Sequence, residues 1–523
     1  MAKVKIRENY HQARWDEPII YELSTPGERG ILVPQPEREI REEAGDILSK
    51  LPENMLRKEK PNLPEISQKH VLAHYLHLSQ ETLGSNLNND ISQGTCTMKY
   101  NPRINEKLAT LIHEVHPLQD ESTIQGLLSI YYRFEHMLKE ISGMDKFTFQ
   151  PGGGSHAVYT AASIIRAYHE SRGELEQRNE VITTIFSHPC DAATPSTAGF
   201  KIITLYPNEE TGVPDVEALK EAVSERTAAL FITNPEDTGI YNPIIDEFVK
   251  IVQEAGGLCF YDQANANGML GIARAREAGF DMCHFNVHKT FGTPHGCSGP
   301  GTGALGVRSH LAKFLPVPTV EYDGEKYYLD YDRPESIGKV RGFFGVAPVI
   351  LKAYCWTMMM GADGLREVAE ISVLNNNYLQ KKIEAIDGVE TWYAEGRRRL
   401  EQVRYNWRKL YEETGVGTDD IMRRIGDYGI QHYWTSHHPW VVPEPFTLEP
   451  CETYSKADLD EYAAVLERIA EEARKDPDFV KASPHKCASH VIAKPEELND
   501  PSKWALTWRA YLKKHKKEEP SLG

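Results

Sequence analysis

Eight cysteines are scattered singly through 523 residues, without close-paired spacing. That excludes a disulfide framework as the basis of the fold and reads as reduced thiols of a cytoplasmic protein. No apolar run approaches the ~18 residues that span a bilayer, and Met1–Asn9 lacks the apolar core of a signal peptide. A soluble, unanchored protein is expected. Positive charge is also in short supply: 59 Lys and Arg against 76 Asp and Glu leave a net charge of −17. Nucleic acids and anionic membranes both require a basic surface, so neither is an expected partner. No internal repeat is evident. No Gly-x-Ser-x-Gly elbow stands where a strand meets a helix, which removes the common serine hydrolase design. Cys283, His284, His288, His295 and Cys297 are metal-ligand types crowded into a short stretch, yet Cys-x-x-Cys and His-Glu-x-x-His spacings are missing. His284 and His288 would share a face only on a helix, whereas Phe285-Asn-Val-His reads as a strand. No metal is expected.

What the chain does contain is a large α/β pattern. Hydrophobic residues at 40% suffice for a sizeable core, and 26% charged residues are ordinary for a soluble protein. Residues 1–75 are rich in proline and charge and read as an N-terminal arm that packs on a partner or on the main body. From 76 to 345, Val181–Phe186, Lys201–Tyr206, Ala228–Thr233, Leu258–Tyr261 and Ala304–Val307 read as strands buried on both faces. Helical patterns lie between them at Asp215–Glu225 and Pro243–Glu254, the latter with Asn242 as cap and Pro243 at its first position. This alternation predicts a mostly parallel sheet covered by helices. Residues 346–490 predict a smaller C-terminal α/β domain, with helices over Gly364–Asp387 and Ser455–Lys475 and an interrupted strand around Trp440-Val-Val-Pro. Residues 491–523 form a C-terminal tail whose Lys513-Lys-His-Lys-Lys reads as a solvated helix end.

The chemistry concentrates at strand ends. Lys289 follows one apolar run and precedes a long glycine-rich loop, while Asp262 closes another. A lysine amine and a carboxylate so placed match what pyridoxal phosphate requires: an amine to carry the cofactor and an acid to pair with its pyridinium nitrogen. The 27-residue separation (289 − 262) leaves room for a helical crossover between neighbouring strands. Gln150-Pro-Gly-Gly-Gly-Ser-His156 runs into a helical pattern, so Gly153, Gly154 and Ser155 are candidates to hold the cofactor phosphate on helix N-terminal amides. His188 follows the strand 181–186 and falls on the ligand-bearing edge of an open α/β sheet, where its ring can stack on a pyridine. Asn234-Pro-Glu-Asp-Thr-Gly239 lines the same crevice.

Asn286-Val-His-Lys-Thr-Phe with Pro294-His-Gly-Cys-Ser-Gly-Pro-Gly, and Gly94-Thr-Cys-Thr-Met-Lys-Tyr-Asn101, resemble the glycine decarboxylase P-protein of the glycine cleavage system. The likeness is to its C-terminal half, or to the separate subunit 2 of split enzymes. Tyr21-Glu-Leu-Ser-Thr-Pro-Gly, Tyr261-Asp-Gln-Ala-Asn-Ala-Asn267 and Tyr331-Asp-Arg-Pro-Glu-Ser-Ile-Gly extend it over roughly residues 18 to 490. The resemblance implies a fold type I pyridoxal-phosphate enzyme, aspartate-aminotransferase-like, that decarboxylates glycine and passes the aminomethyl group to the lipoyl arm of the H-protein. It implies Lys289 as the cofactor-bearing amine beside His288, Asp262 as the pyridinium partner, Ala264 beneath the ring and His188 as the stacking group. It also implies a homologous subunit 1, or self-association, because active sites of this fold type lie where two subunits meet.

Several positions depart from the family pattern. Pro189-Cys-Asp191 stands where Gly-Thr-Asn is usual, Val158 where a Glu is common, Val346 in place of Asn, and Glu236-Asp-Thr-Gly in place of Asn-Thr-Leu-Gly. Lost hydrogen-bond partners near a small charged substrate are costly. The expectation that follows is retained cofactor chemistry with a shifted substrate pocket. A related pyridoxal enzyme for another amino acid or amine, or a non-catalytic partner subunit, is the alternative.

Overall fold

A computed structural model of the protein describes residues 4–82, 89–91, 101–294, 299–431, 433, 435–487 and 512. The segment Gly94–Tyr100, His295, Cys297 and the Lys513–Lys517 cluster fall outside the described residues. Two compact units are present: residues 1–8 with 84–482, and residues 9–83 with 483–523.

The first unit is built on seven strands: β1 (Lys146–Thr148), β2 (Glu180–Thr184), β3 (Lys201–Leu205), β4 (Thr227–Thr233), β5 (Leu258–Asp262), β6 (Met282–Asn286) and β7 (Gly303–Val307). They lie in the order β1-β7-β6-β5-β4-β2-β3. All neighbours pair in parallel except β1 with β7 and β7 with β6. β-branched and aromatic side chains dominate the central strands, where the pleat gives them cover on both sides. Alternate residues serve opposite faces, as a two-residue period demands. Ile182, Leu230, Ile232, Tyr261 and Phe285 pack into one core with Leu128, Tyr131 and Phe134 of the helix Gln125–Ser142. Val181, Ala229, Phe231, Phe260 and Met282 pack on the other side against Ala161, Ala162 and Ile165 of the helix Gly154–Ser171. The helix Ile245–Glu254 buries Ile245, Phe248, Val249 and Val252, a single stripe at helical spacing.

Two hairpin strands follow, β8 (Thr319–Tyr322) and β9 (Tyr327–Asp330), then a three-stranded antiparallel sheet of β10 (Glu390–Thr391), β11 (Val403–Asn406) and β12 (Pro445–Leu448). Trp407, Tyr405, Phe446 and Tyr433 stack in its core beside the helix Lys456–Lys475. That helix opens with Ser455 and Asp458 exchanging capping hydrogen bonds.

Five local expectations are corrected. Lys289 does not close a strand: β6 ends at Asn286 and Val287–Thr290 form one helical turn that carries His288 and Lys289. The crossover between β5 and β6 contains turns and no helix. The helix expected from Pro243 begins at Ile245; Asn242 instead accepts from Ile244 N–H in the turn before it. Trp440–Pro443 are turn residues, and the strand lies further on at β12, because Pro443 cannot donate to a ladder. The helix expected over Gly364–Asp387 is part of a longer one, Ala347–Ile383, broken by a positive φ of 63° at Gly361.

In the second unit, the helix Gln68–Gln80 is tied back by Glu17, whose two carboxylate oxygens meet His74 Nδ1 at 2.7 Å and His77 Nδ1 at 2.6 Å. Trp15 stacks on the His77 ring at 3.9 Å.

Candidate active site

The carboxyl ends of β2, β5 and β6 converge on one cavity of about 400 Å3. Gly153, Gly154 and Ser155 line it from the start of the helix Gly154–Ser171, His188 from the turn after β2, Asp262 and Ala264 from β5 and the turn after it, and His288 with Lys289 from the turn after β6. The residues proposed from the sequence to hold the cofactor therefore share one space. Gly152, His156, Cys190, His284, Asn286, Gly299 and Gly301 also line it.

Each side chain is held by a local cause. Asp262 is buried, and its Oδ1 accepts from Ala264 N–H at 2.8 Å. His284 Nδ1, on the neighbouring strand, lies 3.5 Å from the same oxygen. Burial holds His284 below the usual imidazole range, so its ring is neutral at pH 7. His188 Nδ1 accepts from Cys190 N–H at 3.1 Å and lies 2.8 Å from Cys190 Sγ. Its burial, reinforced by His437, lowers its pKa to about 4. A neutral ring whose Nδ1 accepts a backbone hydrogen bond carries its proton on Nε2. His288 Nδ1 is 3.2 Å from both backbone N and O of Thr302, which fixes the ring beside Lys289.

The glycines make a cradle. A Cβ on Gly154 would lie 2.8 Å from Asn286 Nδ2, and one on Gly152 would lie 2.9 Å from the Arg341 guanidinium. On the strand side, a Cβ on Gly303 would fall 2.6 Å from Gly153 O. The backbone thus approaches the cavity through space that any side chain would fill, at the N-terminus of an 18-residue helix with a cation beside it. These features suit a phosphate. An amine, an acid opposite it and a helix N-terminus in one cavity suit the remainder of pyridoxal phosphate.

A second chamber of about 40 Å3 shares His188, Asp262, Ala264 and Lys289 with the first and is closed by Asp237, Glu401, Gln402, His437 and Glu449. Asp237 Oδ2 lies 2.9 Å from His437 Nδ1 and accepts from Arg404 at 3.1 Å, while Arg404 also donates to His437 O at 2.8 Å. Despite burial, His437 and Arg404 hold the Asp237 carboxyl far below its usual range. The His437 ring packs edge-on against His188 at 4.6 Å. Sequence reasoning placed the Asn234–Gly239 segment at this crevice but missed Arg341, Arg404 and His437; no local pattern marks the last two. Val158 is a correction. It is fully buried in the core under the sheet with Ala161 and Ile165 and does not line the cavity. Cys190 alone of the Pro189-Cys-Asp191 departures lines the cavity.

Comparison with known proteins fits this geometry. The chain matches the family models described as "Aminotransferase class-V" over residues 148–413 and "Glycine dehydrogenase, C-terminal domain" over residues 368–487. It is 45% identical to the probable glycine dehydrogenase (decarboxylating) subunit 2 of Pyrococcus abyssi, over 98% of this chain and 99% of that one. The chain belongs to the glycine dehydrogenase (decarboxylating) subunit 2 family. A relative of the same description from Caldanaerobacter subterraneus is 42% identical over 89% of this chain and 94% of its own length. Among solved structures, a glycine decarboxylase (P-protein) of the glycine cleavage system in inhibitor-bound form superposes with a TM-score of 0.69 at 19% identity, covering 84% of this chain and all of that one. A NifS-like protein superposes at 0.55 and 16% identity, over 72% of this chain and 97% of that one. The fold is that of fold type I pyridoxal-phosphate enzymes, as the sequence led us to expect.

Proposed function

We propose that the chain is the cofactor-bearing subunit 2 of a pyridoxal-phosphate-dependent glycine dehydrogenase that decarboxylates glycine and transfers the aminomethyl group to the lipoylated H-protein. The observation that carries the reading is the meeting of Lys289, Asp262 and the glycine-led helix N-terminus in one cavity, in a member of this family. Lys289 would carry the cofactor through its amine. Gly153, Gly154 and Ser155 would hold the phosphate, with Arg341 balancing its charge. His188 and Ala264 would flank the ring. When bound, pyridoxal phosphate supplies an electron sink for the bond broken at the substrate α-carbon. Asp262, oriented by the Ala264 amide, would hold the proton on the pyridine nitrogen. His188, neutral with Nε2 protonated, adds no charge beside Lys289. The second chamber admits only a small group next to Lys289, in keeping with an amino acid that has no side chain. His288, locked by Thr302, restricts the Lys289 turn.

The N-terminal arm exposes Ile31, Leu32, Val33, Leu48 and Met55, each more than two-thirds bare. So many exposed apolar side chains call for a covering surface. A homologous subunit 1, implied by the family's naming, or a second copy of this chain would supply it. No helix among the described residues is long and apolar enough to cross a membrane. We place the assembled enzyme in the cytoplasm.

The test is spectral. Purified protein supplied with pyridoxal phosphate should develop a near-ultraviolet or visible band that glycine alters ahead of a panel of other amino acids. With subunit 1 and lipoylated H-protein it should exchange bicarbonate into glycine. Lys289→Ala should lose the band and the exchange. A band that responds to another amino acid or amine and ignores glycine would transfer the site to a different substrate; no band at all would leave a non-catalytic subunit.

A further inference from the structure

The cavity borders a second buried carboxyl that the proposed chemistry does not use. Asp191 sits in the first turn of the helix Cys190–Thr197 and is fully buried. Its Oδ2 accepts from the Thr233 hydroxyl at 3.2 Å, and its Oδ1 has no hydrogen-bond partner among the described residues. An oxygen of Asp191, an oxygen of Asp262 and Cys190 Sγ all lie within 4.8 Å of one another. Two carboxylates so close and so shielded from water cannot both be ionised, because neither desolvation nor repulsion is repaid. Carboxyl pairs of this kind share one proton.

The surroundings decide where that proton rests. Asp262 has a backbone N–H donor at 2.8 Å and lines the cavity with Lys289, both of which favour its charge. Asp191 has one hydroxyl donor. The titratable groups beside it are Asp262 from β5, Asp237 from the turn after β4, and Cys190 and His188 from its own turn. Two of these are acids, and the His188 ring is neutral. Burial, then the Asp262 charge, push the Asp191 carboxyl well above its usual range.

We propose that Asp191 is a positioning residue that stays protonated at neutral pH and donates its carboxylic O–H to the Asp262 carboxylate, fixing the orientation and charge that Asp262 presents to the cofactor nitrogen. The role toward the cofactor rests on the proposed pyridoxal function; the proton on Asp191 does not. Asparagine at this position keeps a neutral donor of the same shape, whereas leucine keeps the bulk and removes the donor.

The experiment is difference infrared spectroscopy of the full-length protein at pH 7, with and without pyridoxal phosphate. Subtracting the Asp191→Asn spectrum from wild type should leave a carboxylic-acid C=O band, because the Glu236 acid, protonated in both proteins at this pH, cancels. Alongside it, the pH midpoint of the cofactor band should be unchanged in Asp191→Asn and displaced in Asp191→Leu, with the cofactor dissociation constant of the leucine variant raised at least about tenfold, the loss of one hydrogen bond to a charged group. A merely structural Asp191 would not move that midpoint. An infrared spectrum that does not change in Asp191→Asn overturns the proposal, as does a leucine variant that folds and titrates like wild type. If the leucine variant fails to fold, the asparagine spectrum alone decides. If the acid band behaves as expected in a protein that never takes up pyridoxal phosphate, the functional reading falls and the proton assignment stands.

Discussion

Glu236→Gln should remove most of the alkaline instability of this protein. Glu236 is buried in the turn after β4, next to Asp237, and its Oε2 has no hydrogen-bond partner among the described residues. Burial, with the Asp237 charge behind it, lifts its pKa from 4.5 to about 8. The folded state therefore prefers the unionised acid. In the unfolded chain the proton leaves from pH 4.5 upward, while the folded protein retains it to about 8. The stabilising contribution is complete below pH 4.5 and is lost as the pH rises through that window. The gap of 3.5 units (8 − 4.5), at about 1.4 kcal/mol each, comes to roughly 5 kcal/mol. That is comparable with the net stability of a whole domain, about 5–15 kcal/mol. Glutamine keeps the shape and cannot ionise. The assay is urea unfolding from pH 5 to 9, taking the difference between wild type and Glu236→Gln so that Asp191 and other titrating groups cancel. The difference should move in favour of the variant by several kcal/mol as the pH passes from 5 to 8. Parallel pH profiles for the two proteins would refute the argument. His188, whose pKa is lowered from 6.5 to about 4, takes away stability as the pH falls through that window, and its share of the overlap cancels in the difference between the two proteins.

Asp262→Asn should lose roughly 100-fold in the rate of glycine–bicarbonate exchange, the scale of one strong electrostatic contact in the transition state, while still binding pyridoxal phosphate. An equal loss in Asp262→Glu would point instead to misfolding. Gly303→Ala should weaken both fold and cofactor binding, because the new methyl would meet Gly153 O at 2.6 Å and Ala157 Cβ at 2.8 Å. A cost of about 1–3 kcal/mol in urea and a raised dissociation constant for pyridoxal phosphate are expected, and a neutral result would show that the loop yields freely. Light scattering of the cofactor-saturated protein should return more than the 59.2 kDa chain, alone or with subunit 1; a stable monomer of full activity would contradict the covering role given to the arm.

The parts of this protein legible in its sequence are those set by short-range pattern. The central strands could be located because residues buried on both faces leave apolar runs in β4 and β5. The helix starting at Ser455 could be located because its apolar residues recur at helical spacing. Lys289, Asp262, His188 and the glycine loop were legible because parallel strands deliver their carboxyl ends to one edge, so strand-end position alone implies neighbourhood. Tertiary structure decided the rest. The helical turn at Val287–Thr290 has too few residues to carry a period. Val158 faces the core because of the register of its helix on the sheet, and that register is set by packing, not by its neighbours in sequence. Asp237 and His437 stand 200 residues apart, and Arg404 joins them from a different sheet. Asp191 meets Asp262 across 71 residues (262 − 191) of intervening chain. Contacts of this kind leave no trace in composition or spacing, because folding alone brings the two charges together and removes the water that would have kept them independent.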